Sequence, residues 1–224
     1  MPGSQPSVHP RSNTAQATDA KGAFALLPLP YVYEALEPVI DRETMFFHHD
    51  VIQREYVEGL NQALQGNAEG LRLEEILARV SRYPKAVRDT GGGVWNHEFY
   101  WCAMTDKKED QEISPELLHA LEDSFGSVDE FKTRFIRAGA SHVGSGWLWV
   151  VKTAAGRLEI VTTEKNDNPL MDTCQAQGRP ILVCDLWEHA YFLRYRAAKG
   201  EYLRKFFAVV NWARMHTLFV GEYH

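Results

Sequence analysis

One acid, placed at the end of an apolar run, constrains this chain more than anything else in it. Pro180-Ile181-Leu182-Val183-Cys184 is apolar and favours a β-strand, and Asp185 follows directly. The acid therefore falls where a buried strand ends. A carboxylate there is costly unless it is paired or binds a metal. His189 stands four residues further on, and Trp187 between them can wall a site off from water.

Two more imidazoles lie in apolar, aromatic settings: His48 after Thr44-Met45-Phe46-Phe47, and His97 within Trp95-Asn96-His97-Glu98-Phe99-Tyr100-Trp101. Three imidazoles and a carboxylate suit a redox-active first-row metal. The same donors also accept zinc. Taken singly, a histidine on an apolar helix face is more often a hydrogen-bonded core residue than a ligand. Spacing alone leaves these readings open. His49 points off the ligand row and reads as a channel or surface residue. Cys184 reads as a small buried hydrophobe. Gly91-Gly92-Gly93 follows no predicted strand, which argues against a phosphate cradle.

The chain is long enough, at 224 residues, for one large domain or two small ones. Its net charge of -6 leaves no basic footprint for nucleic acid, and an anionic substrate would need a local positive funnel. Three widely spaced cysteines without a C-x-x-C pair fit a reducing compartment, so the expected location is cytoplasmic. No apolar run approaches the roughly 20 residues that span a bilayer, so no membrane association is expected. Residues 1–25, rich in Ser, Pro, Gln and Thr, read as a disordered extension without a secretory apolar core. Acids are absent before Asp19, which keeps an organelle or periplasmic address as the alternative.

Helical spacing of apolar residues predicts a helix from about Asp41 to Leu64, with Asp41 as its cap, a second over Arg72–Arg82 and a third from Thr90–Gly93 through Trp101. Ser114-Pro115 and Ser127-Val128-Asp129-Glu130 each open a further helix. Trp147–Val151 and Leu158–Val161 read as a hairpin turning at Ala155-Gly156, Pro180–Asp185 as a third strand, and Tyr202–Thr217 as a final helix. The expected fold is α+β: an N-terminal helical hairpin domain (26–110), then a C-terminal domain (111–224) with a small three-stranded antiparallel sheet flanked by helices.

Several segments, in order, resemble the iron/manganese superoxide dismutase family. They are Leu29-Pro30-Tyr31 with Ala35-Leu36-Glu37-Pro38, Thr44 to Asn61, Trp95-Asn96-His97 with Phe99-Tyr100-Trp101, Gly144-Ser145-Gly146-Trp147, and Asp185 to Tyr191. The resemblance covers about residues 27 to 220. It implies a superoxide dismutase, with superoxide as substrate, and one iron or manganese ion per subunit held by His48, His97, Asp185, His189 and a solvent molecule. It further implies Tyr56 in the substrate channel, eight residues after His48 on one helix row, and aromatic walls at Trp147 and Trp187. Glu188 would reach across a homodimer interface to the partner's metal-binding histidine. Arg196 and Lys199 would form the positive substrate funnel.

The departures are as specific. Where the family carries a second His-His pair, this chain has Ile52-Gln53, and its second tyrosine after the Asp-to-His motif is Phe192. Both members of one interface bridge are thus apolar together, a loss that is nearly neutral for stability. Iron-type relatives place a glutamine at the position of Gly93. Manganese-type relatives place one at Asn166, which is one methylene shorter and is expected to address the solvent ligand at shorter reach. The resemblance therefore leaves iron and manganese both open. Two other functions were weighed: a non-enzymatic structural protein on the same scaffold, and a metal-dependent oxygenase or hydrolase, for which no nucleophile or substrate motif speaks.

Overall fold

The computed structural model describes residues 23–65, 68 and 70–221. Most of the expected extension lies outside them. Phe24 does not: it is buried, and Asn61 takes its N–H and C=O at 2.8 and 2.9 Å. Phe24, inside the stretch expected to be a tail, is thus held against the rest of the chain.

The Asp41 carboxylate accepts the Thr44 N–H at 2.8 Å and caps α1, Arg42–Phe46. The helix continues as a π-helical segment, Phe47–Gln53, and then as α2, Arg54–Leu64. The second expected helix is shorter than its pattern: α3 covers Leu73–Leu77, and Val80–Arg82 tightens into a 3₁₀ turn. In contrast α4, Lys85–Cys102, starts earlier than expected, immediately after Pro84. The glycine run is therefore not a helix start but mid-helix surface, used for close approach. A Cβ at Gly92 would fall 2.1 Å from the Asn166 carbonyl oxygen, and one at Gly93 would fall 2.6 Å from the Tyr56 ring. Helices α2 and α4 pack as the hairpin.

In the second half, the Ser114 and Ser127 hydroxyls accept the Leu117 and Glu130 N–H groups. They cap α5, Pro115–Phe125, and α6, Val128–Ser141. Three antiparallel strands follow in the order β2-β1-β3: β1 Gly146–Lys152, β2 Leu158–Glu164 and β3 Arg179–Asp185. β1 is central and buried along all but its last residue, because α4, α5, α6 and α9 pack against the strands. Its register sets Trp147 opposite Asp185. Trp147, Trp149, Phe131, Phe135, Tyr202 and Phe206 are fully buried, each phenylalanine contributing about 1.5–3 kcal/mol before entropy is subtracted.

After β3 come a 3₁₀ turn at Glu188–Ala190, α7 Phe192–Tyr195, α8 Lys199–Phe206 and α9 Trp212–Val220. The single final helix expected over Tyr202–Thr217 is split. Between its halves, Val210 bridges Met104, the Thr105 N–H reaches Val209 O at 2.8 Å, and the Asn211 N–H reaches Ala103 O at 2.8 Å. Backbone that a continuous helix would have used internally ties the C-terminal half to the end of α4. The architecture is α+β, a helical hairpin followed by a three-stranded antiparallel sheet with flanking helices.

Candidate metal centre

Four elements each deliver one donor to a single point. His48 comes from the π-helical segment, His97 from the middle of α4, Asp185 from the end of β3, and His189 from the 3₁₀ turn after it. Their ligating atoms all lie within 4.8 Å of one another, comparable to the roughly 4 Å between opposite donors on an ion with bonds near 2.1 Å. Asp185 Oδ2 is 3.0 Å from His48 Nε2, 3.0 Å from His189 Nε2 and 4.0 Å from His97 Nε2. His48, His97 and Asp185 are at most 1% exposed.

The surroundings fix each donor's direction. The Gly93 carbonyl lies 2.6 Å from His97 Nδ1 and accepts a hydrogen bond from its N–H, which leaves Nε2 a lone pair toward the cluster. The Trp187 N–H donates to Asp185 Oδ1 at 2.8 Å and leaves Oδ2 facing the imidazoles. His48 Nε2 and His97 Nε2 are buried with no hydrogen-bond partner among the described residues. Although His48 Nε2 stands close to Asp185 Oδ2, the contact lacks hydrogen-bond alignment: the lone pairs meet at a shared point rather than on each other. Buried orphan acceptors of this kind require an explanation, and a cation at their convergence supplies one.

Electrostatics agree. Burial, reinforced by His189, lowers the His48 pKa to about 4. Burial and then His48 hold His97 well below the ordinary histidine range. Both rings are therefore neutral near pH 7, the form that ligates. Burial opposes ionisation of Asp185, but the charge and hydrogen bond of His189, with His48 close by, outweigh it, and the carboxyl is held low.

The remaining predicted residues fall into two groups. Trp147 is fully buried, its ring edge-on to His97 at 5.1 Å, and Trp187 stacks on His189 at 5.5 Å. The π-helical segment interrupts the straight row expected to join His48 and Tyr56. Tyr56 still comes to 5.5 Å from the His97 ring. Asn166 is buried; its Nδ2 donates to the Asp89 carbonyl at 3.0 Å, its Oδ1 accepts from Trp147 Nε1 at 3.4 Å, and its amide lies near enough to the Tyr56 phenol to influence its titration. Burial raises the Tyr56 pKa and Asn166 opposes that rise. Glu188, Arg196 and Phe192 are on the surface instead. The Glu188 carboxylate makes no hydrogen bond with any described residue, although its backbone carbonyl accepts the Tyr191 N–H at 3.1 Å. Arg196 lies over the Phe192 ring at 5.7 Å, and Lys199 Nζ donates to His142 O at 2.7 Å.

Some participants carried no readable signal. His49, expected at the channel or surface, is 5% exposed: Nε2 meets Leu27 O at 2.8 Å and Nδ1 meets the Asp50 carboxylate at 3.1 Å, so it binds the N-terminal segment to the helix. Trp101 lies 4.6 Å from the His48 ring and donates to Gln53 Oε1 at 2.7 Å. Tyr100 and Tyr202 bond at 2.9 Å behind the ligands. Only the glycine run hinted at the close packing on α4.

A helical hairpin and a small antiparallel sheet enclosing three imidazoles and one carboxylate form a site suited to a single first-row metal ion. The sequence matches the alpha-hairpin domain of the iron/manganese superoxide dismutases over residues 23–105, and their C-terminal domain over residues 113–218. A manganese superoxide dismutase of Acinetobacter baylyi is 38% identical over 199 residues, 88% of this chain and 87% of that protein. The chain belongs to the iron/manganese superoxide dismutase family, and its activity is the dismutation of superoxide. No helix among the described residues is long and apolar enough to cross a membrane.

Proposed function

We propose that His48, His97, Asp185 and His189 hold one iron or manganese ion per subunit of a cytoplasmic homodimer, and that Tyr56, Asn166, Trp147 and Trp187 serve the reaction around it. The observation that carries this reading is the convergence of the orphaned Nε2 atoms of His48 and His97 on Asp185 Oδ2. When bound, the metal supplies one-electron exchange: one superoxide is oxidised to dioxygen, and a second takes that electron and two protons to become hydrogen peroxide.

The protein's own part is to position and to exclude. Trp147 and Trp187 wall the imidazoles from bulk water. Tyr56, its pKa raised by burial, stays protonated at neutral pH and offers an O–H at the edge of the cluster. Asn166 lies beside that phenol. Arg196 and Lys199 offset, locally, the repulsion that a net charge of -6 exerts on an anion.

Dimerisation is supported by what surrounds Glu188. Lys199, whose charge senses Glu188, is tied to His142 O, and the next residue, Val143, is 91% exposed. Phe192 and Leu193, just beyond the turn, are 45% and 40% exposed. Apolar side chains around a carboxylate with no hydrogen bond among the described residues fit an interface that gives the acid a partner. Three free cysteines fit a reducing cytoplasm.

Elemental analysis of the purified protein, joined to a superoxide-removal assay on iron-loaded and manganese-loaded samples, tests the reading. Near one equivalent of metal per chain with activity in at least one form is expected. Tight stoichiometric zinc without superoxide removal would overturn it.

A further inference from the structure

The loop after β2 is laced to α4 by more than packing. Asn96 Nδ2 donates to Asn166 O at 3.1 Å, and Asn168 Nδ2 donates to Asn96 Oδ1 at 2.8 Å. Nearer the start of α4, Arg88 grips Asp167 through two parallel bonds, Nε to Oδ1 at 2.8 Å and NH2 to Oδ2 at 2.6 Å. The next residue on each side forms the next rung, Asn166 Nδ2 to Asp89 O at 3.0 Å. Consecutive residues of the helix thus meet consecutive residues of the loop. Gly92 lets the loop come this close, since a Cβ there would overlap the Asn166 carbonyl.

We propose that Arg88 and Asp167 are positioning residues for the metal centre: their ion pair sets the loop's register on α4 and so aims the Asn166 amide at Trp147 and Tyr56. This rests on the metal-centre reading above and deepens it. The Arg88 and Asp167 side chains are 34% and 24% exposed, and partly exposed pairs of this kind add little net stability. What the pair does supply is direction, because a planar guanidinium gripping both carboxylate oxygens fixes orientation as well as distance. Asn166 has one methylene between its amide and the backbone, so a small slide of the loop moves the amide off Asp89 O. Its contacts with Trp147 Nε1 and the Tyr56 phenol would change with it.

The test uses the charge-neutral pair Arg88→Gln/Asp167→Asn, made with Asn166 present and again with Asn166→Ala, in the iron-loaded protein. Redox titration with asparagine present should show a shift equivalent to about a tenfold change in the ratio of the oxidation states, about 59 mV for one electron. With Asn166→Ala the same pair of substitutions should add nothing, since positioning through Asn166 has been removed. An unmoved potential, or an equal shift in both backgrounds, overturns the proposal. Arg88→Lys, which keeps the charge and loses the fork, covers the case in which the double variant does not fold. It should give a smaller shift of the same sign, and none at all would count against the proposal. Wild-type protein that binds neither iron nor manganese would instead defeat the metal-centre reading itself, and a protein that takes only manganese is titrated in that form.

Discussion

The inner cluster and the outer rim of this site are built on opposite terms. Inside, His48, His97 and Asp185 are at most 1% exposed, and hydrogen bonds from within the same chain orient two of them. Outside, Glu188 and Arg196 are exposed, and Phe192 is 45% exposed beneath the Arg196 guanidinium. One chain completes the geometry of the first group but leaves the second facing outward. Substitutions inside should therefore act on metal and fold, and substitutions on the rim should act on assembly and substrate approach.

The largest effect should follow from Asp185→Ala. It removes the only anionic donor from a buried set, and three neutral imidazoles cannot balance the charge of the ion. Elemental analysis should find the metal gone and the assay should find no activity. Full occupancy in that variant would break the inner half of the comparison.

Acid should separate the two groups next. In metal-free protein the His48 pKa falls from an ordinary 6.5 to about 4 on folding, so the unfolded chain binds this proton more readily. Stability is then full above pH 6.5 and declines by about 3 kcal/mol as pH falls toward 4, with His97 acting in the same direction and Asp185 adding its own loss only in stronger acid. Denaturant midpoints of metal-free protein at pH 7 and pH 5 check this. Equal midpoints would mean the cluster is not buried neutral as described.

The same division decides what the sequence could disclose. Caps at Asp41, Ser114 and Ser127, the hairpin turn near Gly156 and the strand ending at Asp185 are local signals, and each stands where its pattern put it. The four clustered donors were singled out as residue types in apolar settings, but only the resemblance joined them into one site. Features set by distant backbone stayed hidden. The glycine run reads locally as the start of α4 because its partners, Asn166 and Tyr56, lie far away in the chain. The break between α8 and α9 depends on Ala103, Met104 and Thr105, which no window around residue 207 contains. The π-helical segment that carries His48 has no composition of its own, and His49 offered no sign that Leu27 would claim it.

On the rim, Glu188→Ala should weaken the dimer and lower activity together. Loss of a charge-assisted hydrogen bond of about 1.5 kcal/mol in each of two subunits corresponds to roughly a hundredfold rise in the dissociation constant. Sedimentation across a dilution series reads this directly. Wild-type protein that is monomeric and fully active would remove the reason for placing Glu188 at an interface.

The smallest and sharpest effect lies where the two groups meet, at Asn166. Its Nδ2 is already engaged by the Asp89 carbonyl at 3.0 Å, so in the present geometry the amide serves α4 and the Tyr56 phenol before it serves solvent at the metal. Asn166→Gln adds one methylene and carries the amide past Asp89 toward the imidazoles. A donor closer to that solvent favours the form carrying more negative charge, which accompanies the trivalent ion, so the potential should fall. Each 1.4 kcal/mol of such preference corresponds to about 59 mV for one electron. Redox titration of iron-loaded and manganese-loaded wild type and Asn166→Gln measures it, and the direction matters more than the size. Ile52→His, by contrast, restores a polar group on the π-helical segment rather than beside the solvent, and should alter proton-limited turnover while leaving the potential in place. If Asn166→Gln leaves both potentials unchanged, residue 166 belongs wholly to the packing of α4, and the inner cluster is tuned by its buried ligands alone.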